Sequence, residues 1–352
     1  MSDDLVGEVA PAHRFDEAGL RRYLETHIDG FGANLRVQQI KGGASNPTFK
    51  LTTEGPNGPL AYVLRKKPPG QLLASAHQVD REYRVMKALE NTGVPVPRMR
   101  HLCQDDSIIG TAFYVMDFLE GRIFRDATLP GLSPKERSAI YDELNATLAK
   151  LHKVDYQAVG LGDFGKPGGY FERQVARWIK QYRGAESEHI PAMEELIEVL
   201  PKRIPPDDSV SIAHGDYRLE NTMFHPTEPK LIAVLDWELC TIGHPLADIA
   251  YNGFLWHSDS QSWGSLIGVD FATSGIPTEA AYREAYCRRT GREGIPHWYF
   301  YVAFGAFRLA SISQGVYRRV LNGVAPSDRP AVNGVPHLAE QALAILRMDK
   351  DG

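Results

Sequence analysis

Cysteine is scarce in this chain. Its three cysteines, Cys103, Cys240 and Cys287, are far apart and form no Cys-x-x-Cys pair, which argues against a disulfide framework and for a reducing, cytoplasmic compartment. A basic excess is also missing. The 39 Lys and Arg against 44 Asp and Glu give a formal net charge of −5, so the electrostatic footprint of a nucleic-acid partner is absent. Long apolar runs are lacking too. Tyr299 to Phe307 spans nine residues, far short of the roughly 20 that a spanning helix needs. Asp3, Asp4 and Glu8 occupy the N-terminus where a signal peptide would be basic and then apolar, so no membrane partner is expected. No internal repeat or low-complexity tract is present.

What the chain does have is an ordinary globular composition, with 43% apolar and 24% charged residues over a length of 352. That length suits two domains or one large two-lobed one. One stretch organises the rest: His214-Gly215-Asp216-Tyr217-Arg218-Leu219-Glu220-Asn221, followed by an apolar run that ends in Asp236-Trp237-Glu238. Val210 to Ala213 reads as a strand, Thr222 to Phe224 as a second, and Leu231 to Leu235 as a buried strand that delivers Asp236 at its end. A carboxylate at 216 and a carboxamide at 221, on a loop between strands, can face one small volume. Asp216 could hold a substrate hydroxyl while Asn221 reaches a metal ion beside Asp236. Two acids and an amide, without Cys or clustered His, suit oxygen-preferring Mg²⁺ better than zinc. The alternative is plain turn chemistry, with His214 in the core, Asp216 and Asn221 as turn formers and Asp236 as a strand cap.

Upstream, Asp16 caps a predicted helix to about Ile28, and Leu35 to Ile40 and Thr48 to Thr52 read as a strand pair around Gly42-Gly43-Ala44-Ser45-Asn46. Glycine lets backbone N–H groups approach phosphates closely, although a plain hairpin turn would use the same residues. Ala61 to Lys67 is a third strand, with Arg65 and Lys67 on one face and Lys66 on the other. A helix over Gln78 to Asn91 buries Val79, Tyr83, Met86 and Leu89, with Glu82 beside that stripe. Two more strands follow at 99–102 and 111–118. Ser133-Pro134-Lys135-Glu136 is a capping box opening a long helix with Ile140, Leu144, Leu148 and Leu151 inward. Helices are expected over 170–182 and 191–200, one is opened by His244-Pro245-Leu246-Ala247-Asp248, and others are expected over 278–290, 296–321 and 335–348.

Together these motifs, from about Lys41 to Asp248, resemble the aminoglycoside phosphotransferase family, relatives of the protein kinases. The wording His-Gly-Asp-Tyr-Arg-Leu-Glu-Asn is similar to the branch fused to some acyl-CoA dehydrogenases. The resemblance implies an α+β, two-lobed, protein-kinase-like fold. Residues 1–119 would be the nucleotide-binding lobe with an antiparallel sheet, Met116 and Phe118 would lie in a hinge near 116–121 whose backbone reads adenine, and 120–352 would be a mainly helical catalytic and substrate lobe. The implied reaction moves the γ-phosphoryl group of ATP, with Mg²⁺, to a hydroxyl on a small molecule. Asp216 would be the base and Asn221 and Asp236 the metal ligands. Gly42, Gly43, Ser45 and Asn46 would cover the phosphates. Arg65, at the family's lysine position, or Lys67 would neutralise them, with Glu82 as anchor. His214 and Asp248 would support the loop.

The chain has His-Gly-Asp and Asp-Trp-Glu in place of the protein-kinase wording His-Arg-Asp and Asp-Phe-Gly, and no Ala-Pro-Glu segment. A protein substrate is therefore not expected. Arg218 and Arg308 could border the acceptor and favour an anionic one, a hydroxy acid or its acyl-CoA ester, unless both form salt bridges elsewhere. An aminoglycoside kinase and a nucleotide-binding pseudokinase are the alternatives, and arginine at 65 is the feature that favours the latter.

Overall fold

The computed structural model describes residues 6–41, 46–68, 78–259, 264–323 and 332–350. In chain order the described elements begin β1 (Val6–Gly7), α1 (Glu17–His27), β2 (Ala33–Ile40), β3 (Thr48–Gly55), β4 (Gly58–Lys66), α2 (Val79–Leu89), β5 (Met99–Cys103) and β6 (Phe113–Asp117). They continue α3 (Pro134–His152), α4 (Tyr170–Ala185), α5 (Pro191–Val199), β7 (Ser211–Ala213), β8 (Thr222–Phe224), β9 (Leu231–Val234) and β10 (Thr241–Gly243). The last four are α6 (Pro245–Gly253), α7 (Glu279–Thr290), α8 (Trp298–Leu321) and α9 (Val335–Leu346).

The chain divides into two units, one running to Ile123 and including Asn221–Cys240, the other made of Phe124–Glu220 and the chain from Thr241 onward. This differs from a single break at 119/120, because the chain returns to the first unit. The physical reason is backbone pairing. Arg122 and Phe224 exchange two N–H···O bonds (2.7 and 2.8 Å), and the Val234 N–H donates to the Pro95 carbonyl at 2.8 Å. The Arg122 guanidinium also donates to the carbonyls of His225 and Glu228, both at 2.9 Å.

In the first unit the strands form one antiparallel sheet in the order β1-β2-β3-β4-β6-β5. Strand alternation sets its faces. Phe49 and Leu51 of β3 and Leu64 of β4 are buried with Leu20, Leu24 and Ile28 on the side of α1, and Phe113 and Val115 of β6 complete that core. Burial of each such side chain is worth about 1.5–3 kcal/mol. Asp16 caps α1, its carboxylate accepting from the Gly19 N–H at 2.9 Å. Lys66 points to this face, its ammonium 5.5 Å and 5.9 Å from the centres of the Phe15 and Phe49 rings.

The second unit is mainly helical. Ser133 opens α3 with the complete capping box, and Ile140, Leu144, Leu148 and Leu151 are buried. Every residue of α8 from Phe300 to Ser311 is buried, as is Trp298, so this helix is an axis that α4, α6 and α9 pack around. β10 pairs antiparallel with β7. It has no sequence signal of its own, because three residues are too few to show a period. Among the described residues no helix is long and apolar enough to cross a membrane.

At Gly32 any Cβ would sit 1.3 Å from the Glu54 carbonyl oxygen, so only glycine allows β2 to begin against the end of β3. Gly32→Ala should destabilise the protein by about 3 kcal/mol or more. Gly184→Ala, in α4 with nothing within 4 Å, should instead stabilise by up to about 1 kcal/mol. Shifts of the urea midpoint, opposite in sign, check both.

Candidate active site

In the second unit, β7 is fully buried and hands the chain to His214. Gly215 then turns at φ 85°, a region that favours glycine. The Asp248 carboxylate in α6 fixes this turn. It is 1% exposed and accepts from the N–H of His214 at 2.6 Å and of Gly215 at 2.8 Å, with His152 Nε2 at 3.3 Å. Burial alone would push this carboxyl up. The His152 and His214 rings and the Gly215 N–H outweigh it and hold Asp248 below the usual carboxylate range.

The Asp216 N–H donates to His214 Nδ1 at 3.2 Å, which assigns the proton of a neutral imidazole to Nε2. Tyr217 donates its hydroxyl to the Leu144 carbonyl and accepts on its own carbonyl from Asn252 Nδ2, both at 2.8 Å. The backbone around Asp216 is therefore pinned on both sides while the carboxylate stays accessible, its side chain 22% exposed. The Tyr251 hydroxyl is hydrogen-bonded to that carboxylate, and burial together with the Asp216 charge raises the Tyr251 hydroxyl pKa. Arg218 lies 3.9 Å from Asp216 and 2.5 Å from Glu220, so its charge is already shared by two acids. Arg308 sits in the core of α8.

In the first unit, the hairpin of β8 and β9 carries Asn221 at its start and Asp236 just past its end. Asn221 accepts from the Leu235 N–H at 2.8 Å. Asp236 adopts φ 61° and ψ 65°, a left-handed conformation that costs a non-glycine residue free energy and clusters at functional sites. Trp237, 2% exposed, holds the turn by donating its indole N–H to the Val234 carbonyl at 3.0 Å.

Asp236 and Glu238 meet one guanidinium, at 3.0 Å and 3.5 Å from Arg65 Nη2. On the other side Glu82 lies 3.3 Å from Arg65 Nε, within ion-pair range but without hydrogen-bond alignment. Tyr114 and Asn46 donate to the same carboxylate at 3.0 and 2.8 Å. Burial pulls the Arg65 guanidinium down, but Tyr114 and the three carboxylates outweigh it and its pKa is raised. Glu82 is 1% exposed. Burial, with Asp236 and Glu238 nearby, pushes its carboxyl up to about 7 against the pull of Arg65 and Tyr114. Three acids around one cation leave an excess of negative charge, which suits a divalent cation. Among the described residues no group of three or more His, Cys, Asp or Glu could hold a metal by itself. Asn221 and Asp236 carry the oxygen donors that Mg²⁺ prefers, an ion that keeps several waters and takes other oxygens from phosphates, although Asp236 is here in contact with Arg65.

Of the remaining expected residues, Gly42, Gly43 and Ser45 lie outside the described residues. Lys67 follows the end of β4, its N–H on the Ala112 carbonyl at 3.3 Å. Met116 sits between β4 and β5, opposite Val63 and Met99. The Phe118 N–H donates to the Ala61 carbonyl at 3.2 Å, so it is not available to a nucleotide base. The first unit thus gathers Asn46, Arg65, Glu82 and Asp236, and the second gathers His214, Asp216, Arg218 and Asp248. Tyr114, Glu238, His152 and Tyr251 are additions that the sequence reading missed. Tyr114 had a usable signal, since it stands directly opposite Arg65 in the β4–β6 register.

The model of the phosphotransferase enzyme family matches residues 36–301. The human acyl-CoA dehydrogenase family member 11 is 46% identical over 97% of this chain, and the match spans 44% of that relative. The chain therefore corresponds to less than half the length of such relatives. A crystal structure from Ralstonia eutropha, provisionally assigned as an aminoglycoside phosphotransferase, is 49% identical, with a TM-score of 0.87 over 96% of this chain and 100% of that one. Aminoglycoside phosphotransferase APH(4)-Ia, solved in a ternary complex with AMP-PNP and hygromycin B, shares the fold. Its TM-score is 0.58 at 15% identity, over 95% of this chain and 99% of that one.

The raised Glu82 carboxyl makes a signed prediction. The folded state holds this proton more tightly than the unfolded chain, so the stability contributed is fully present below the unfolded value near 4.5 and is lost as pH rises through about 7. The effect is bounded at about 3 kcal/mol. Thermal melts of the wild type and Glu82→Gln from pH 4 to pH 8 should show the wild type losing midpoint relative to the variant as pH rises. A difference that stays flat over that window would contradict the account.

Proposed function

Because this chain belongs to the phosphotransferase enzyme family, with its protein-kinase-like fold, we propose that it moves the γ-phosphoryl group of ATP to a hydroxyl on a small molecule. Asp216 positions that hydroxyl and accepts its proton. The observation that supports this role best is the grip of Asp248 on the His214 and Gly215 N–H groups, which fixes the loop while the Asp216 carboxylate remains accessible. His214 supports the loop through its bond to the Asp216 N–H.

Nucleotide recognition belongs to the first unit. Asn221 and Asp236 hold Mg²⁺, whose chemistry when bound is to neutralise charge on the phosphate oxygens. Arg65 provides the cation facing the phosphates, Glu82 anchors it, and Lys67 is its rival at the strand end. Gly42 to Asn46 cover the phosphates, although Asn46 is itself engaged with Glu82. With the Phe118 N–H occupied, reading of adenine falls to the hinge segment beyond it, up to Gly121. The acceptor is a hydroxy acid or hydroxyacyl-CoA in our reading, in keeping with the relatives that carry this region beside an acyl-CoA dehydrogenase name. The three cysteines are buried and form no disulfide, which accords with a cytoplasmic address.

One observation favours the second reading, nucleotide binding without turnover: Arg65 is already engaged by three carboxylates. ATP consumption by the purified protein across a panel of hydroxylated metabolites separates the two. Asp216→Asn should lower kcat by about 100-fold or more while leaving Mg-ATP affinity within a few-fold, whereas Asp236→Asn should weaken Mg-ATP binding itself. Near-normal turnover in Asp216→Asn would remove the base assignment. Arg65→Ala should cost far more activity than Lys67→Ala, with Glu82→Gln a milder form of the same defect; steady-state kinetics with ATP as the varied substrate gives the order.

A further inference from the structure

Arg308 is 7% exposed in the middle of α8. Its guanidinium carbon lies 5.5 Å from the centre of the Trp178 ring on α4 and 5.3 Å from the Tyr251 ring on α6. Its Nε is buried with no hydrogen-bond partner, and the indole N–H of Trp178 is likewise buried with none. Among the described residues the acids found in ion pairs take other cations; Arg218, for example, is met by Glu220 and Asp216. Arg308 keeps its proton in any protein environment. A buried, permanent positive charge without a counter-ion is costly, and here a second unused donor lies on the ring that it covers. Both groups lack a hydrogen-bond acceptor, and the charge of the guanidinium favours an anionic oxygen for that place.

The location gives that oxygen a function. Tyr251 carries Arg308 on its ring and hydrogen-bonds Asp216 through its hydroxyl, so one side chain separates the unpaired cation from the proposed base. We propose that Arg308 and the Trp178 indole N–H form an oxyanion-recognition site of the acceptor, binding a carboxylate or phosphate group on the molecule whose hydroxyl is presented to Asp216. This rests on the phosphotransfer reading for its substrate, but the pairing of Arg308 with an oxyanion is measurable without turnover. Arginine suits the task because its planar fork meets two oxygens at once.

The test uses the purified full chain with ATP and Mg²⁺. The probes are beta- and gamma-hydroxybutyrate, the matching neutral hydroxyamides, and the coenzyme A thioesters of the same acids. Wild type should prefer an oxyanion-bearing acceptor over its amide by about 10-fold or more in kcat/KM, mainly through KM. Preference for the free acid identifies a carboxylate as the bound group, and preference for the thioester identifies a phosphate. In Arg308→Gln that acid-to-amide or thioester-to-amide ratio should collapse towards unity. Arg308→Lys should restore part of it, and Trp178→Phe, which keeps the ring but removes the N–H, should lower it less. Thermal shift with the same probes, without ATP, separates the two hypotheses. If no probe supports ATP consumption but the acids or thioesters still stabilise wild type and not Arg308→Gln, phosphotransfer fails and the oxyanion site stands. If Arg308→Gln lowers activity and melting temperature alike for charged and neutral probes, or the amides serve as well as the acids and thioesters, Arg308 is a structural arginine and the proposal falls.

Discussion

The grip of the Asp248 carboxylate on two consecutive backbone N–H groups is the constraint on which the chemistry proposed for the second unit depends. A fully buried carboxylate is tolerated only when its oxygens are satisfied. Asp248 takes the N–H groups of His214 and Gly215 and faces His152, which in turn contacts the Tyr286 hydroxyl through Nδ1 at 2.7 Å. α6, the loop after β7, the end of α3 and α7 are thereby tied to one charge. The Gly215 turn would otherwise be free to present Asp216 in many orientations. Catalysis by a positioned base requires that freedom to be removed before substrate arrives.

The first unit obeys the opposite arithmetic. Glu82, Asp236 and Glu238 bring three carboxyl groups to one guanidinium. An isolated protein structure would gain nothing from such an imbalance. The proposed nucleotide and its metal would change the balance, because the carboxylates could then hold a cation that the phosphates also need. The strained Asp236 backbone, locked by the Trp237 indole, points the same way: conformational cost persists where the surrounding structure over-determines it.

Much of this was legible in the sequence wherever a period or a cap existed. The α1 cap at Asp16, the α3 capping box and the alternation of β3 and β4 were read from residues alone, and each has its expected partner. What could not be read was long-range. Tyr83 was expected in the α2 stripe, yet it is only half-buried, and Glu82 and Val85 are buried instead. A carboxylate can occupy that buried face only because Arg65, Tyr114 and Asn46 converge on it from other elements. The return of 221–240 to the first unit depends on backbone pairing with Arg122 and Pro95, and backbone groups carry no sequence signature. Tyr251 and His152 were missed because an aromatic on a helical face looks like core until its polar atom is placed.

Three cations show why the choice between lysine and arginine matters here. Lys66 is buried against the Phe15 and Phe49 rings, and burial lowers its pKa; a lysine can relieve an apolar site by giving up its proton. Arginine has no such escape. At position 65 the charge is met within the protein, since Nη2 reaches Asp236 and Glu238 and Glu82 lies within ion-pair range of Nε, although Nε itself makes no hydrogen bond. A single ammonium could not span those carboxylates with the same geometry, which is a physical reason for arginine at this position. At position 308 the obligation is left unmet by the described residues. The same property that makes Arg65 an internal tether therefore makes Arg308 a receptor, and the difference between them lies in their neighbours rather than in the side chain.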